Sequence, residues 1–536
     1  MRNRILFENI FYGKIICFLL VAMISVNAFA ANGITYTYDA LNRVKTITKP
    51  DSLVFTNEYL DNTNQVKTTD ERGNVTDYYY ESFSNPDEKR LVTVNNGATV
   101  GSTDYVYTAI GNISSVTLSG GITHSFGYNS KQFLETEKHP EMDVIPEDPS
   151  SACVRYTHYN NGDVHTKKDA RGTITYDYDT INRLSHINYS DGTPTVTYTY
   201  YKNDCVNTVG STPTLYTFTY YDDRKLNTKT YSIDGHSYSM SYTYNNARNL
   251  STITYPSGRV ITYNYYSDNM YVSSVRDSLL NRNLAYNIKY QPNGKLNLVT
   301  YGNGKTTRIT PDTTYPYRTS SISAGSIFSQ QYGYDKSDNV TSIVDTRNNA
   351  SFTISMNADG YTGYNSLNRL MHVKGPWGTL RYDYDYSGNR TSMTFDSGSV
   401  SYSINSTRNR LDSYTATLPT GPVTHNFYYD ASGNINEHEL GEGDQYTYSF
   451  DQANRLKHID LLPSSGGIRP VYTNVFDAVG NRIKMTDHDT SGDVNKIYHY
   501  GLSNEVLSET KTDGTPQVDY IYLGGKLLSK YAWPNP

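Results

Sequence analysis

The stretch DARGTITYDYDTINRLSHI, residues 169–187, contains the pattern that decides the fold. Tyr176 and Tyr178 flank a single residue, Asp179 follows at once, and Asn-Arg-Leu comes just beyond. A short aromatic alternation, a turn former and a second apolar run are typical of two β-strands joined by a tight turn. One copy would predict one hairpin, but the chain carries many copies.

The motif aromatic-x-aromatic followed by Asp or Asn recurs along the chain. The clear copies are Tyr36-x-Tyr38-Asp39, Phe126-x-Tyr128-Asn129, Tyr176-x-Tyr178-Asp179, Tyr242-x-Tyr244-Asn245, Tyr332-x-Tyr334-Asp335, Tyr382-x-Tyr384-Asp385, Phe427-x-Tyr429-Asp430 and Tyr448-x-Phe450-Asp451. In the second half most intervals are roughly twenty to twenty-six residues, and a fixed period of this size indicates a repeat architecture. We predict one hairpin for each repeat.

Strand geometry predicts where the side chains of one repeat point. Side chains alternate across a strand, so Tyr176 and Tyr178 share one face, and successive repeats are expected to stack their tyrosines in cross-strand contacts. Leu184 and Ile187 follow in the return strand. Because three residues separate them, we expect either a β-bulge or apolar contacts on both faces.

The residues after the aromatic pair predict a tight turn. Asp179 is expected to accept a hydrogen bond from the backbone two residues on, and Asn182 to adopt a positive φ. Gly388, Gly433 and Gly480 take the same place in other copies. The turns at the other end of the hairpins are predicted at Arg72-Gly73, Arg171-Gly172, Ser257-Gly258 and Asp513-Gly514.

Composition supports an all-β chain. The 536 residues include 54 Tyr but only 15 Phe and 2 Trp, an amphipathic aromatic set suited to sheets with one wet face. Propellers have periods of about forty residues or more, and aromatic choline-binding repeats depend on Trp. The formal net charge of −6 disfavours nucleic acid as a partner, because phosphate recognition needs clustered positive charge.

The first thirty residues have the features of a signal peptide. A basic start precedes an apolar run from Ile15 to Val26 and the small-x-small triplet Ala28-Phe29-Ala30. A membrane anchor is the alternative, but the run is about 12 residues against the ~20 that span a bilayer. We expect cleavage and export to a secreted, periplasmic or cell-surface location, with no membrane span in the mature chain, residues 31–536.

The repeat resembles that of the Rhs/YD-repeat proteins, which have the form Gly-x(several)-Tyr-x-Tyr-Asp-x-x-Gly-Arg/Asn-Leu. The resemblance runs from about Tyr36 to Leu528. It implies tandem hairpins in one long spiralling antiparallel sheet, a partial cocoon or open barrel-like shell, as in bacterial polymorphic toxins, toxin-complex subunits and the teneurin shell. Toxin-bearing members continue into a cap, a self-cleavage region and a toxin. The chain ends at YIYLGGKLLSKYAWPNP, so these are expected to be absent, and closure is expected to need a second shell or cap protein.

Candidate sites other than the repeat are few. The repeated aspartates are equivalent copies in equivalent turns, whereas catalysis needs a unique pair, so no catalytic residue, cofactor or metal ligand is predicted. DHDTSGD, residues 487–493, resembles a calcium loop but lacks the Glu of the twelfth position. Cys153 and Cys205 either form a disulfide or stay unpaired. An acidic, proline-containing stretch at about 135–150 is expected to be an exposed loop, or alternatively a partner contact.

The predicted function is that of a secreted, non-catalytic structural shell or scaffold. The alternative is an adhesin that binds cell-surface glycans, because tyrosine rings stack on sugar C–H faces. The two hypotheses differ in where the tyrosines lie. Rings buried between strands favour the shell, and rings in an open polar groove favour glycan binding.

Overall fold

The computed structural model describes residues 33–534, apart from residues 84, 98–99, 147, 348–351 and 490–491. The predicted signal peptide at residues 1–30 lies outside the described residues. Within the described ranges the chain forms 44 β-strands and one short 3-10 helix, Asp61–Thr63. No helix in these ranges has the length and apolarity needed to cross a membrane. The predicted all-β class is confirmed.

The strands are numbered in chain order. The first half consists of β1 Thr35–Tyr38, β2 Val44–Thr48, β3 Val54–Leu60, β4 Gln65–Thr69, β5 Val75–Phe83, β6 Asn85–Asn95, β7 Ser102–Tyr107, β8 Ile113–Thr117, β9 Thr123–Tyr128, β10 Leu134–Lys138, β11 Val154–His158, β12 Val164–Asp169, β13 Gly172–Tyr178, β14 Leu184–Tyr189, β15 Val196–Tyr200, β16 Val206–Ser211, β17 Thr214–Tyr220, β18 Leu226–Ile233, β19 His236–Tyr244, β20 Leu250–Thr254, β21 Val260–Tyr265 and β22 Val272–Asp277. The second half consists of β23 Arg282–Tyr290, β24 Leu296–Tyr301, β25 Thr306–Pro311, β26 Thr319–Ser323, β27 Ser329–Tyr334, β28 Val340–Asp345, β29 Phe352–Ser355, β30 His372–Gly375, β31 Gly378–Tyr384, β32 Arg390–Phe395, β33 Gly398–Asn405, β34 Arg410–Leu418, β35 Gly421–Tyr429, β36 Ile435–Glu439, β37 Gln445–Phe450, β38 Leu456–Leu462, β39 Arg469–Phe476, β40 Arg482–Asp489, β41 Gly492–Tyr500, β42 Val506–Thr510, β43 Pro516–Leu523 and β44 Lys526–Ala532.

The strands form a single antiparallel meander. Each strand pairs with the next one along the chain, for example β13 with β14, β14 with β15 and β15 with β16. In the described part of the chain β1 pairs only with β2, and β44 only with β43. The sheet is therefore one long open ribbon whose two long edges consist of hairpin turns. The predicted long antiparallel sheet is confirmed.

Each repeat contains a β-bulge next to its second aromatic residue. In the hairpin of β13 and β14, Tyr176 lies opposite Ile187, but Tyr178 lies opposite Leu184, so one extra residue sits in the return strand. The same shift recurs in the copies ending at Tyr38, Tyr200, Tyr244, Tyr334, Tyr384, Tyr429, Phe450, Tyr500 and Tyr522. Of the two arrangements expected for the return strand, the structure contains the bulge. Because a bulge increases local twist, its repetition curls the ribbon.

The curled ribbon makes two windings that touch along their edges. Residues 260 to 293 positions apart are in contact: Arg72 bonds Asn365, Arg171 bonds Asp451, and Arg259 bonds Asp519. We call β1–β22 the first winding and β23–β44 the second winding. The line along which they meet is the seam.

Two apolar clusters fill the contact between the windings toward the C-terminal end. In one, Tyr242 and Ile261 of the first winding pack with Leu507 and Ile521 of the second, and each of the four is at most 1% exposed. In the other, strands β15 to β19 pack with β40 and β41 around the fully buried Ile497. The core of this protein therefore lies between its windings.

The acidic stretch at about 135–150 differs from its prediction. Its first residues belong to β10, and the segment 139–153 that follows is a loop lying mostly half-buried against the second winding. Ile145 is only 3% exposed, and the Asp143 carboxylate accepts a 2.5 Å hydrogen bond from Arg408. The expectation of an exposed loop is wrong for most of the segment, because the segment fills part of the seam.

Candidate functional site: the repeat turns and the seam

The turn of each repeat is organised by its aspartate. The Asp179 carboxylate accepts hydrogen bonds from the backbone N–H groups of Ile181 and Arg183, each at 3.0 Å, and Asn182 has φ +62°. Burial raises the pKa of Asp179, but the hydrogen bonds from Arg183 outweigh it and lower that pKa overall. The carboxylate also accepts a hydrogen bond from the backbone N–H four residues after the aspartate in other repeats, at Asp39, Asp335, Asp385, Asp430, Asp451 and Asp477. Gly388, Gly433 and Gly480 have φ +92°, +82° and +93° at the place of Asn182.

The residues after the turn recognise the next repeat. Arg183 donates from Nε to the Asp179 carboxylate at 2.7 Å, and its guanidinium lies 4.4 Å from the centroid of the Tyr200 ring. The Leu184 carbonyl accepts a 2.7 Å hydrogen bond from the Tyr200 hydroxyl. Asn-Arg-Leu therefore shapes its own turn and binds the second tyrosine of the following repeat.

This hydroxyl-to-carbonyl bond is the contact that recurs between repeats. It also joins Tyr178 to Val164, Tyr244 to Leu226, Tyr265 to Leu250, Tyr334 to Thr319, Tyr384 to Leu370, Tyr429 to Leu411, and Tyr522 to Val506. Ring-on-ring contacts occur, as between Tyr216 and Tyr231 at 4.8 Å, but they are local. Tyr176 and Tyr198 are half-buried, and this burial raises the pKa of each to about 12.

The opposite face of the ribbon carries a second ladder that sequence reasoning missed. Exposed threonine hydroxyls bond across paired strands at 2.6–2.7 Å, in the pairs Thr37–Thr46, Thr157–Thr166, Thr199–Thr208, Thr219–Thr228 and Thr243–Thr252. The sequence does contain the signal, because in four of these pairs Thr stands between the two aromatic residues of the motif. Cross-strand Thr pairs of this kind stabilise a sheet.

The seam is held by two turns with the same sequence pattern, Asp70-x-Arg72-Gly73 and Asp169-x-Arg171-Gly172. We call them the Asp-x-Arg-Gly turns. Arg72 donates to the Asn365 carbonyl at 2.9 Å and to the Asn368 side-chain oxygen at 2.6 Å. Asn365 and Asn368 occupy the first and the positive-φ positions of a repeat turn in the second winding.

Arg171 makes the equivalent contacts further along the seam. It donates to the Asp451 carbonyl at 3.1 Å and to the Asn454 side-chain oxygen. The Asp169 carboxylate accepts from the Ser432 hydroxyl at 3.1 Å, as the Asp70 carboxylate does from Ser337 at 3.5 Å. Each Asp-x-Arg-Gly turn is thus seated between two successive repeat turns of the other winding. The sequence places Arg72 and Arg171 in turns, but their partners were missed.

A buried ionic cluster closes the seam at the C-terminal end. Arg259 is 1% exposed and donates from Nε to Asp519 at 2.8 Å, and it also pairs with the fully buried Asp277. The indole N–H of Trp533 donates to Asp519 at 2.9 Å, and the Tyr531 ring lies 4.0 Å from the Arg259 guanidinium. The two carboxylates offset part of the cost of burying the guanidinium charge, although Nη2 of Arg259 is buried without a hydrogen-bond partner among the described residues. The end of the described chain is fixed at this cluster.

The positions of the tyrosines favour the shell hypothesis over glycan binding. Even rings that are partly exposed use their hydroxyls between hairpins: Tyr201, 38% exposed, donates to the Phe218 carbonyl at 2.9 Å, and Tyr221, 39% exposed, donates to the Tyr242 carbonyl at 3.1 Å. Tyr36, in the edge strand β1, is 51% exposed. The aromatic rings serve mainly to join strands.

The two cysteines and the stretch that resembles a calcium loop lie apart from the Asp-x-Arg-Gly turns. Cys153 is buried and Cys205 is half-buried, and both are free thiols in the structure. The stretch 487–493 forms the hairpin between β40 and β41, in which His488 Nδ1 lies 2.9 Å from the Asp493 carboxylate; residues 490–491 lie outside the described part.

Comparison with known proteins gives short sequence matches and a long structural match. No protein-family model matches the chain. It is 30% identical over 168 residues to the tRNA3(Ser)-specific nuclease WapA of Bacillus spizizenii, and 29% identical over 160 residues to the tRNA nuclease WapA of Bacillus subtilis. These matches cover 31% and 30% of this chain but only 6% of each relative.

Solved structures match along almost the whole chain. The crystal structure of TcdB2-TccC3 without its hypervariable C-terminal region and that of TcdB2-TccC3-Cdc42 each superpose with a TM-score of 0.52 at 11% identity. The chain has an Rhs-like fold. The matches cover 93% of this chain, and 30% and 31% of those chains, so this chain spans about a third of their length. The resemblance seen in the sequence is supported at the level of the fold.

Proposed function

We propose that this chain is a secreted, non-catalytic wall of the Rhs/YD-repeat type, whose function is to surround or support another polypeptide. The observation that carries the proposal is the seam. A curled sheet encloses space only if its windings are joined, and here the same Asp-x-Arg-Gly turn joins them at two places. In each of these turns the arginine and the aspartate both bond to the other winding.

The relatives suggest what the wall is for. WapA is named a tRNA nuclease, and the match to it spans 6% of its length, so its nuclease activity can belong to another part of that protein. One of the similar solved structures is named TcdB2-TccC3 without hypervariable C-terminal region. We infer that this chain partners a second shell component and that the activity it serves resides in a different segment or chain.

Protection from proteolysis tests the proposal. A flexible segment carrying a site for a sequence-specific protease is fused after residue 536, close to the fixed Trp533. If the windings form a wall, this segment is cleaved much more slowly in the parent chain than in a variant with Arg72→Ala and Arg171→Ala, which opens the seam. The same segment on a compact unrelated domain gives the unprotected rate. Equal cleavage in parent and variant, with both showing β-sheet circular dichroism, would refute an enclosing role.

A further inference from the structure

Two histidines and a glutamate converge where the first winding meets the second. His124 lies on β9, His139 follows β10, and Glu141 lies in the loop 139–153. One ligand atom from each of them lies within 4.8 Å of the other two. The sequence predicts no metal ligand at these positions, because 15 residues separate His124 from His139 and strand pairing brings them together.

The distances suit a bound metal ion. His124 Nε2 lies 3.1 Å from a Glu141 carboxylate oxygen, and the centroids of the two imidazole rings are 5.5 Å apart. In a tetrahedral zinc site with bonds of about 2.0–2.1 Å, ligand atoms lie roughly 3.3 Å from one another. The His124–Glu141 separation of 3.1 Å is close to this value, and a nitrogen of His139 lies within 4.8 Å of both ligand atoms.

The surrounding residues hold the three ligands in place. The second Glu141 oxygen accepts from Asn409 Nδ2 at 3.1 Å, and the Glu141 carbonyl accepts from Arg410 at 3.2 Å, both from the second winding. The side chains of His124, His139 and Glu141 are 13%, 25% and 22% exposed. A half-buried site that ions can reach, with its carboxylate oriented by hydrogen bonds, is the environment that metal ligands require.

We propose that His124, His139 and Glu141 form a binding site for a divalent transition-metal ion, with zinc as the best-suited ion. Two imidazole nitrogens with one carboxylate oxygen favour zinc over calcium or magnesium, which prefer oxygen ligands alone. Glu137, whose carboxylate lies 2.9 Å from His139 Nε2, is placed to orient the His139 ring. Phe126 and Glu137 also line an adjoining cleft of about 560 Å³.

The metal would strengthen the seam. Glu141 lies in the loop that Asn409 and Arg410 of the second winding contact, and His124 lies on a strand of the first winding. An ion shared between them ties this loop to its own sheet and so preserves the surface that Asn409 and Arg410 contact. The competing interpretation is a pair of ordinary His–Glu hydrogen bonds with no affinity for metal.

Metal titration of the full chain separates these interpretations. The protein is freed of metal with a chelator, titrated with Zn²⁺ and analysed by native mass spectrometry and calorimetry. We expect one tightly bound zinc in the parent and its loss in the His124→Ala and His139→Ala variants. His425→Ala is the matched control, because its ring nitrogen lies 3.0 Å from that of His438 in another histidine pair of the sheet. Zinc uptake that is absent in the parent, or unchanged by His124→Ala and His139→Ala, would overturn the proposal.

Hydrogen exchange of the loop gives an independent readout. At a zinc concentration of about 100 times the dissociation constant, binding to the folded site stabilises it by ~2.7 kcal/mol, which slows exchange that proceeds through site opening about 100-fold. We expect this slowing at residues 139–146 in the parent and in His425→Ala, but not in His124→Ala. Slowing elsewhere with none at 139–146 would show that zinc binds at another place.

Discussion

Removing the arginine of one Asp-x-Arg-Gly turn should open the seam at that turn and nowhere else. Arg171 donates to the Asp451 carbonyl and the Asn454 side chain and lies 3.6 Å from the Asp430 carboxylate, with only 17% of its side chain exposed. Hydrogen bonds from a charged donor contribute about 1.5–3 kcal/mol each, and in Arg171→Ala the two acceptors lose their partner. We expect the free energy of local opening to fall by about 2–4 kcal/mol.

Hydrogen exchange measures this opening directly, because it reports the stability of each segment separately. A loss of about 2–4 kcal/mol accelerates exchange through opening roughly 30- to 1,000-fold, at ~1.4 kcal/mol for each factor of ten. In Arg171→Ala the acceleration should appear at the repeat turns 430–434 and 451–455. Global unfolding is unsuitable here, since a long repeat array does not unfold in one cooperative step.

The second copy of the turn supplies the control. Arg72→Ala should accelerate exchange at residues 365–369 and leave 451–455 unchanged, which is the mirror image of Arg171→Ala. Arg248→Ala removes an arginine that is 60% exposed and pairs with Asp223 of the same winding, so it should change neither seam region. The reasoning is refuted if the Arg171→Ala and Arg248→Ala variants have the same hydrogen-exchange rates at residues 451–455.

Three further outcomes are expected. Tyr200→Phe leaves the carbonyl of the preceding repeat without its hydroxyl donor, and should lower local stability by about 1–2 kcal/mol in hydrogen exchange, with little change in fold. Gly480→Ala should lower the local stability of its turn by about 1–2 kcal/mol in hydrogen exchange, through its positive φ alone. Gly433→Ala should lower it clearly more, because its Cβ would lie 2.7 Å from the Glu141 carbonyl oxygen. Burial, helped by a neighbouring lysine, lowers the pKa of His499 to about 3, so the stability that depends on its neutral form is complete above pH 6.5 and is lost toward pH 3 at about 1.4 kcal/mol per pH unit. Hydrogen exchange of β41 between pH 6.5 and 4, after correction for the intrinsic rate, should show this slope in the parent and a flatter one in His499→Gln.

The features that the sequence predicts correctly are local ones. Tyr176, Tyr178 and Asp179 specify a hairpin within twenty residues. The spacing of Leu184 from Ile187 predicts either a bulge or apolar contacts on both faces, and the structure contains the bulge. These predictions depend on side-chain alternation and on turn chemistry, which act over a few residues. One copy of the motif supports a hairpin only weakly. Many copies at a nearly constant period support a repeat of hairpins strongly, because such a pattern does not recur by chance.

The seam was not predictable in the same way. Arg72 and Arg171 were placed in turns from the Arg-Gly pairs alone, but their acceptors lie 280 to 296 residues further on. Which turn meets which depends on the curvature of the ribbon, and curvature is the sum of small twists over some two dozen strands. The cluster of His124, His139 and Glu141 was missed for a related reason, since it requires the conformation of a loop that the second winding fixes.

The two Asp-x-Arg-Gly turns show that the curvature is uniform along the seam. Arg72 lies in the turn after β4 and binds the turn after β29, which is 25 strands further on; Arg171 lies in the turn after β12 and binds the turn after β37, which is also 25 strands further on. If the two windings were shifted by one hairpin at either place, the arginine would lie beside a neighbouring turn. It would then lack the carbonyl oxygen and the asparagine oxygen that it binds. Apolar surfaces can slide past one another, whereas these polar partners fit at one position only. They therefore fix the offset of 25 strands between the turns that meet at the seam. On this argument, deletion of one complete hairpin between β13 and β28 should separate both arginines from their acceptors at once, even though every remaining repeat keeps its own turn and its own tyrosine bond.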